Sequence, residues 1–148
     1  MRRVALCLFL LALAAAHCAA SEETVDTLKA RVANASTEDR AEISIRIAQL
    51  QLRAADKLYT DGHVAEARAA VDDIVAYSEK ARDAAVESTK HLKSAEIAMR
   101  KMAAKLRDIQ RTLAFEDQAP VEQAAHRLED IRTTLLKEMF SDKKDKKK

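Results

Sequence analysis

This sequence of 148 residues has few of the residues that turns and stacking surfaces require: one Gly, one Pro, no Trp, three Phe and two Tyr. Sheet proteins need Gly and Pro in turns and β-branched or aromatic residues in strands, so the composition excludes an all-β fold. A single Gly excludes glycine-rich phosphate-binding loops, and the scarcity of aromatic residues excludes a base-stacking surface. We therefore exclude most nucleotide-dependent enzymes and RNA-binding modules, and we expect no cofactor.

Cysteine is confined to the start of the chain, where Cys7 and Cys18 lie within residues 1–20. In this segment two arginines precede an apolar run over residues 4–16 and then small residues, which is the pattern of a secretory signal. We expect residues 1–20 to be a signal peptide and the protein to be exported to the periplasm or the extracellular space. A lipoprotein signal acylated at Cys18 and an uncleaved anchor stay open as alternatives. Cleavage after residue 20 would leave no cysteine for disulfides or metal sites.

Charged residues are abundant, at 34% of the sequence, and together with Ala and Leu they favour long helices. Without the first 20 residues, which hold two of the 26 basic residues, 24 basic residues balance 24 acidic ones. We expect residues 141–148 to be a disordered tail that either improves solubility or is weakly attracted to an anionic surface. This tail contains five lysines: Lys143, Lys144, Lys146, Lys147 and Lys148.

Hydrophobic periodicity predicts two helices before the single Gly. A short helix over residues 22–33 and a linker account for residues 21–36. A second helix is predicted over residues 38–60, and it ends at Asp61-Gly62, the one strong turn signal. The apolar stripe of the second helix consists of Ile43, Ile47, Leu50, Ala54 and Leu58.

An uncharged seam with alternating steps of three and four residues follows the turn, and a repeat of this kind is typical of coiled-coil packing. The seam consists of Val64, Ala67, Val71, Ile74, Ser78, Ala81, Ala85, Ser88, Leu92, Ala95, Met99, Met102, Leu106, Ile109 and Leu113. It predicts one helix over residues 64–114. A break around Ser88-Thr89-Lys90 stays open, because Ser and Thr are weaker helix formers. We expect the following seam residues to face another chain: Ser78, Ala81, Ala85, Ser88, Leu92, Met99 and Met102.

A last helix is predicted over residues 121–140, because Pro120 suits a first helical turn and residues 115–119 interrupt the pattern. Its buried stripe consists of Val121, Ala124, Leu128, Ile131, Leu135 and Met139. The short links make both outer helices antiparallel to the seam helix. Hairpins that reverse near Gly62 and near residue 117 pair residues whose numbers sum to about 124 and 235.

The fold class is therefore all-α. We expect residues 37–140 to form a helical domain, an elongated, coiled-coil-like rod of antiparallel helical hairpins built on one long central helix. In this register Ile43 meets Ala81 and Ile47 meets Ser78, while Ala84 lies off the seam. A rod only two helices thick exposes much apolar surface per residue, which favours self-association or a protein partner.

The hairpin around Gly62 resembles one unit of the tetratricopeptide repeat family over about residues 40–81. Ala55, Tyr59, Gly62 and Ala67 match the small, aromatic, turn and small positions of that repeat. The resemblance implies a helical hairpin that takes part in protein interactions. It brings no catalytic residue.

Candidate metal ligands occur on two helix faces. Glu122, His126 and Asp130 are spaced four residues apart, as are Glu87 and His91. Charged pairs at this spacing are common on solvated faces, so we expect neither a metal site nor a catalytic site. The aromatic residues outside the first 20 are expected to pack at helix ends: Tyr59, Tyr77, Phe115 and Phe140.

The sequence thus predicts an exported structural or interaction protein, a helical adaptor or chaperone-like module that binds another protein through its apolar seam. We expect no catalysis and no small-molecule substrate. The alternative is a surface-associating protein, attached by its lysine tail to an anionic membrane, wall polymer or nucleic acid. Five lysines give only modest binding to an anionic surface, and of these partners nucleic acid is the least favoured.

Overall fold

The computed structural model describes residues 23–145 as five α-helices, without a strand in that range. The helices are α1 (Val25–Val32), α2 (Thr37–Thr60), α3 (Val64–Ser88), α4 (Leu92–Gln110) and α5 (Phe115–Asp145). The predicted all-α class is confirmed. The predicted signal peptide and the lysines at positions 146–148 lie outside the described residues.

Local capping explains where the first helices begin and end. The Ser36 hydroxyl accepts a hydrogen bond from the Asp39 backbone N–H at 3.1 Å, so it caps the start of α2. At the other end, Gly62 has a φ of +82°, and the His63 N–H donates to the Leu58 carbonyl at 2.8 Å. A left-handed residue after the last turn is the usual way to end a helix, and glycine adopts it without strain.

Each of the two long hairpins is antiparallel. Between α2 and α3, the Gln51 Nε2 donates to Asp73 Oδ2 at 2.5 Å, and these residue numbers sum to 124. Between α4 and α5, Arg107 and Glu129 are paired at 3.2 Å, and their numbers sum to 236. Both contacts agree with the registers predicted from the sequence.

The two hairpins lie side by side rather than end to end. Ion pairs join α3 to the parallel helix α5: Arg68 with Asp117 at 2.6 Å and Arg127 with Glu79 at 2.7 Å. One ion pair, Lys105 with Asp56 at 2.7 Å, links α4 to the parallel helix α2. The order around the bundle is therefore α2, α3, α5, α4, and the short α1 packs on α2.

The prediction of one helix over residues 64–114 is wrong for this monomer, because the chain turns back between Ser88 and Leu92. The predicted register pairs Arg127 with a residue near position 108. On a continuous helix, that position would lie about 43 Å from Glu79. Arg127 instead reaches Glu79 itself. Folding back stacks the two halves of the seam in a common core, which buries more apolar surface than a rod two helices thick.

The seam is the core of this bundle. All of its residues are buried except Val64, Ser88, Leu92 and Leu113, which are half-buried. The stripe predicted on α5 is also buried, apart from the half-buried Met139. Ala84 lies off the seam but is buried as well, at 3% exposure. Because α3 packs against both α2 and α5, its buried face is wider than a coiled-coil seam.

The ends of α5 also differ from the prediction. The helix begins at Phe115, so Pro120 lies inside it. Contacts outside the helix hold the extra turn: Asp117 with Arg68, and the Gln118 side chain, which donates to the Leu113 carbonyl at 3.0 Å. At the other end the helix continues to Asp145. The prediction of a disordered tail is therefore wrong for residues 141–145.

Candidate functional site

The bundle is least closely packed between α2 and α4, where an open groove runs along the surface. Its larger part has a volume of about 1060 Å³ and is lined by α1, α2 and α4, and a smaller part of about 330 Å³ follows it. Gln49 and Lys101 line both parts, so the two form one continuous feature, which we call the α2–α4 groove.

The short α1 forms one wall of the groove because of how it is anchored. Leu28 is buried to 1% exposure, and the Lys29 Nζ lies 2.7 Å from Asp73 Oδ2 on α3. The hydrogen bond to Asp73 raises the pKa of Lys29. With eight residues α1 is only about 12 Å long, and it leaves the rest of the groove uncovered.

The floor of the groove is apolar. Ile43 and Ala98 are buried beneath it, at 8% and 5% exposure. Ile45 on α2 and Ile97 on α4 are half-buried and also line the groove. An apolar floor between two parallel helices is the kind of surface in which an amphipathic helix docks.

Charges along the groove are unevenly distributed. Glu23 is paired with both Arg31 and Arg46, so this group carries one net positive charge. Near the start of α2, Asp39 and Glu42 line the groove, whereas farther along the lining residues include Arg53, Lys101 and Lys105. Lys105 is paired with Asp56, which leaves Arg53 and Lys101 as the excess positive charges in this part. The groove is therefore acidic near the start of α2 and basic near Lys101.

The structure places the predicted interaction seam inside the chain's own core. Ser78, Ala81, Ala85, Met99 and Met102 are buried, and the other two members, Ser88 and Leu92, are half-buried. The prediction that the seam faces another chain is therefore wrong for this monomer, because the turn after Ser88 lets one half of the seam cover the other. The α2–α4 groove, by contrast, is open to solvent.

Sequence reasoning missed this groove. Ile45 lies off the stripe predicted on the second helix, and Ile97 lies off the seam. Apolar residues outside a buried stripe were the available signal, but the groove also depends on the separation of α2 and α4, which the sequence pattern does not give. The predicted tail residues Lys143 and Lys144 belong to the last turns of α5, and Lys146, Lys147 and Lys148 are not described.

The candidate metal ligands stay on separate surfaces. His126 lies 3.9 Å from Glu122, while His91 approaches Glu38 of α2 at 3.8 Å rather than Glu87. Within the described residues, no three His, Cys, Asp or Glu side chains come together as a metal site.

Aromatic residues are distributed differently from the prediction. Tyr77 is buried, and the Lys80 Nζ lies 4.4 Å from its ring centroid. Tyr59 is half-buried, and burial raises the pKa of its hydroxyl. Phe115 is 88% exposed, so the prediction that it packs at a helix end is wrong, and Phe140 is 58% exposed.

In comparisons with known proteins, no family model, curated protein or solved structure matches this chain. Within residues 23–145, none of the helices is long and apolar enough to span a bilayer.

Proposed function

We propose that this protein is an exported, non-catalytic binding module that holds an amphipathic helix of another protein in the α2–α4 groove. The observation that carries the proposal is the open apolar floor at Ile45 and Ile97, between two helices that already lie parallel. A partner helix of about four turns would cover both residues and complete the packing on this side. An adaptor or chaperone-like role follows from such a site.

The charges of the groove favour one orientation of the bound helix. Helices are stabilised by acidic residues in their first turn and basic residues in their last. A partner helix of this type would place its acidic start near Lys101 and its basic end near Asp39 and Glu42. It would therefore run antiparallel to α2 and α4.

The proposal moves the interaction surface from the seam to the groove but keeps the class of function that the sequence indicates. The resemblance of the α2–α3 hairpin to a tetratricopeptide unit supports a protein partner, because that family presents helical surfaces to peptides. Export stays part of the proposal on the pattern of residues 1–20.

A designed peptide tests the binding site directly. The probe is an 18-residue amphipathic helix with an acidic N-terminal turn and a basic C-terminal turn, and the control peptide has these charges exchanged. We expect the first peptide to bind at least tenfold more tightly by calorimetry, since the exchanged charges repel both ends of the groove. Equal affinity of the two peptides, or no binding of either, would contradict the proposal.

Two variants on α4 locate the binding surface. Ile97→Glu puts a carboxylate on the apolar floor and should weaken binding of the first peptide at least tenfold, while circular dichroism should show that the helix content is retained. Ala104→Glu adds the same charge at an exposed position that does not line the groove, so it should bind normally. If both variants bind like the wild type, the peptide uses another surface.

A second candidate function, attachment to an anionic surface, is supported by the end of α5. Phe140 is 58% exposed and stands three residues before the first lysine of the C-terminal segment. An exposed aromatic residue beside several lysines suits peripheral contact with an anionic membrane. Deletion of residues 141–148 would abolish salt-dependent binding to vesicles with anionic lipids, while peptide binding in the groove would persist.

A further inference from the structure

The connection between α3 and α4 is a tight turn without glycine. Of its three residues, Thr89 has a φ of +54° and His91 a φ of +62°. The left-handed region is unfavourable for residues with a Cβ, and especially for a β-branched residue such as threonine. The α2–α3 turn, by contrast, places its one left-handed residue at Gly62.

The hydrophobic periodicity of the sequence continues through this turn without interruption. Seam residues continue in alternating steps of three and four through Ala85, Ser88, Leu92 and Ala95. A connection that served only as a turn could have any length, and the apolar residues on its two sides would not need to follow one helical repeat. Residues 64–110 can therefore also form one helix, about 70 Å long, with the whole seam on one face.

We infer that this chain exchanges its α4–α5 hairpin with a second copy of itself. In the exchanged dimer, residues 89–91 are helical, and the α4–α5 hairpin of each copy packs against the α2–α3 hairpin of the other. Each contact between the hairpins is kept but formed between chains, including Arg68 with Asp117 and Arg127 with Glu79. The exchange relieves two left-handed residues per chain, and strained hinges of this kind favour domain swapping.

The second copy also becomes part of the binding surface. In the dimer, α1 and α2 of one chain and α4 of its partner line each α2–α4 groove. The exchange is reciprocal, so the assembly closes as a symmetric dimer rather than a fibre. The inference does not depend on the proposed function, because it can be tested without any peptide.

Substitutions in the turn should shift the equilibrium in opposite directions. Thr89→Gly with His91→Gly removes the strain of the closed monomer and should weaken dimerisation at least tenfold. Thr89→Ala with His91→Ala keeps a Cβ in the left-handed region and favours helix, so it should strengthen dimerisation at least tenfold. Size-exclusion chromatography with light scattering, after refolding over a range of protein concentrations, measures both shifts, and circular dichroism checks that helix content is retained.

Cross-linking distinguishes exchange from association of closed chains. The background carries Cys7→Ser and Cys18→Ser; one chain also carries Glu79→Cys and the other Arg127→Cys. After the two are refolded together, a short bis-maleimide reagent should join them in the dimer fraction. As a control, Glu87→Cys lies about 12 Å farther along α3 and should cross-link poorly to Arg127→Cys.

Two results would overturn the inference. One is an alanine variant that stays monomeric at the highest concentration after refolding. The other is a dimer in which the chains with Glu79→Cys and Arg127→Cys cross-link no better than the control pair. A failure of peptide binding would leave both measurements unaffected, so the two proposals fail separately.

Discussion

Single residues in this bundle show how little polar chemistry its core contains. Ser44 on α2 and Ser78 on α3 are fully buried, and neither hydroxyl has a hydrogen-bond partner in the described part of the chain. An unpaired buried hydroxyl costs about 1–3 kcal/mol. At the surface, by contrast, one ion pair between Lys29 and Asp73 ties α1 to the bundle.

That ion pair makes the attachment of α1 sensitive to alkaline pH. The hydrogen bond to Asp73 raises the pKa of Lys29, so the folded state holds this proton more tightly than the unfolded state does. Its stabilisation is fully present below the unfolded pKa near 10.5 and is lost as the pH rises through the folded pKa. Because both side chains are about one-third exposed, the pair contributes less than about 1 kcal/mol.

We expect Lys29→Met to lower the free energy of unfolding slightly at pH 7 and to match the wild type at a pH above the folded pKa. Denaturant titrations at neutral and strongly alkaline pH measure this difference. Lys93→Met, at an exposed position on α4, is the control and should match the wild type throughout. A deficit of Lys29→Met that persists unchanged in alkali would show that the charge is not responsible.

At the scale of helices, the most extensive contact is between α2 and α3, and it includes small side chains. Ala81 is fully buried in α3, and Ile47 and Ala48 are fully buried in α2. Protein interiors are packed as densely as organic crystals, so this interface has no room for extra methylene groups.

Ala81→Leu should therefore lower the free energy of unfolding by about 1–3 kcal/mol through overpacking. Ala76→Leu makes the same change at an exposed position on α3 and should be nearly neutral. Thermal unfolding followed by circular dichroism compares them. Equal melting temperatures for the two variants would mean that Ala81 does not face α2.

The sequence predicts the helices well where a pattern or a turn residue marks them. Gly62 marks the end of α2, and the steps of three and four identify the buried face of α3 and α4. The turn at Thr89 to His91 could not be predicted with certainty, since it has neither Gly nor Pro and interrupts no pattern. Its position is decided by packing of the two hairpins, which is a tertiary effect.

The groove was harder to predict for a similar reason. The sequence shows Ile45 and Ile97 as apolar residues off their stripes, but single apolar residues on a surface are normal. Only the arrangement of four helices shows that these two side chains line one groove. The exposed position of Phe115 likewise depends on α5 beginning one turn before Pro120.

At the scale of the whole molecule, stability depends on one shared core, because α3 packs against both α2 and α5. A charge placed in this core should therefore affect both hairpins together. Leu106 is fully buried on α4. Burying an unpaired carboxylate costs several kcal/mol, comparable to the entire stability of a domain of this size.

We expect Leu106→Asp to unfold the chain at 25 °C, with loss of helical circular dichroism across the whole molecule. Ala104→Asp introduces the same carboxylate two residues away at an exposed position and should leave the fold intact. Native helix content in Leu106→Asp would mean that the core lies on another face of α4.

Pro120 weakens the hydrogen bonding at the start of α5, so this turn should open more readily than the middle of the helix. Proline has no N–H to donate, so the Glu116 carbonyl lacks its usual helical partner four residues later. The turn over residues 115–119 is therefore tied to the remainder of α5 by one hydrogen bond fewer than an uninterrupted helical turn would be. Its amide protons should exchange with solvent deuterium well before those of residues 124–135, and the exposed Phe115 should be an early cleavage site for chymotrypsin.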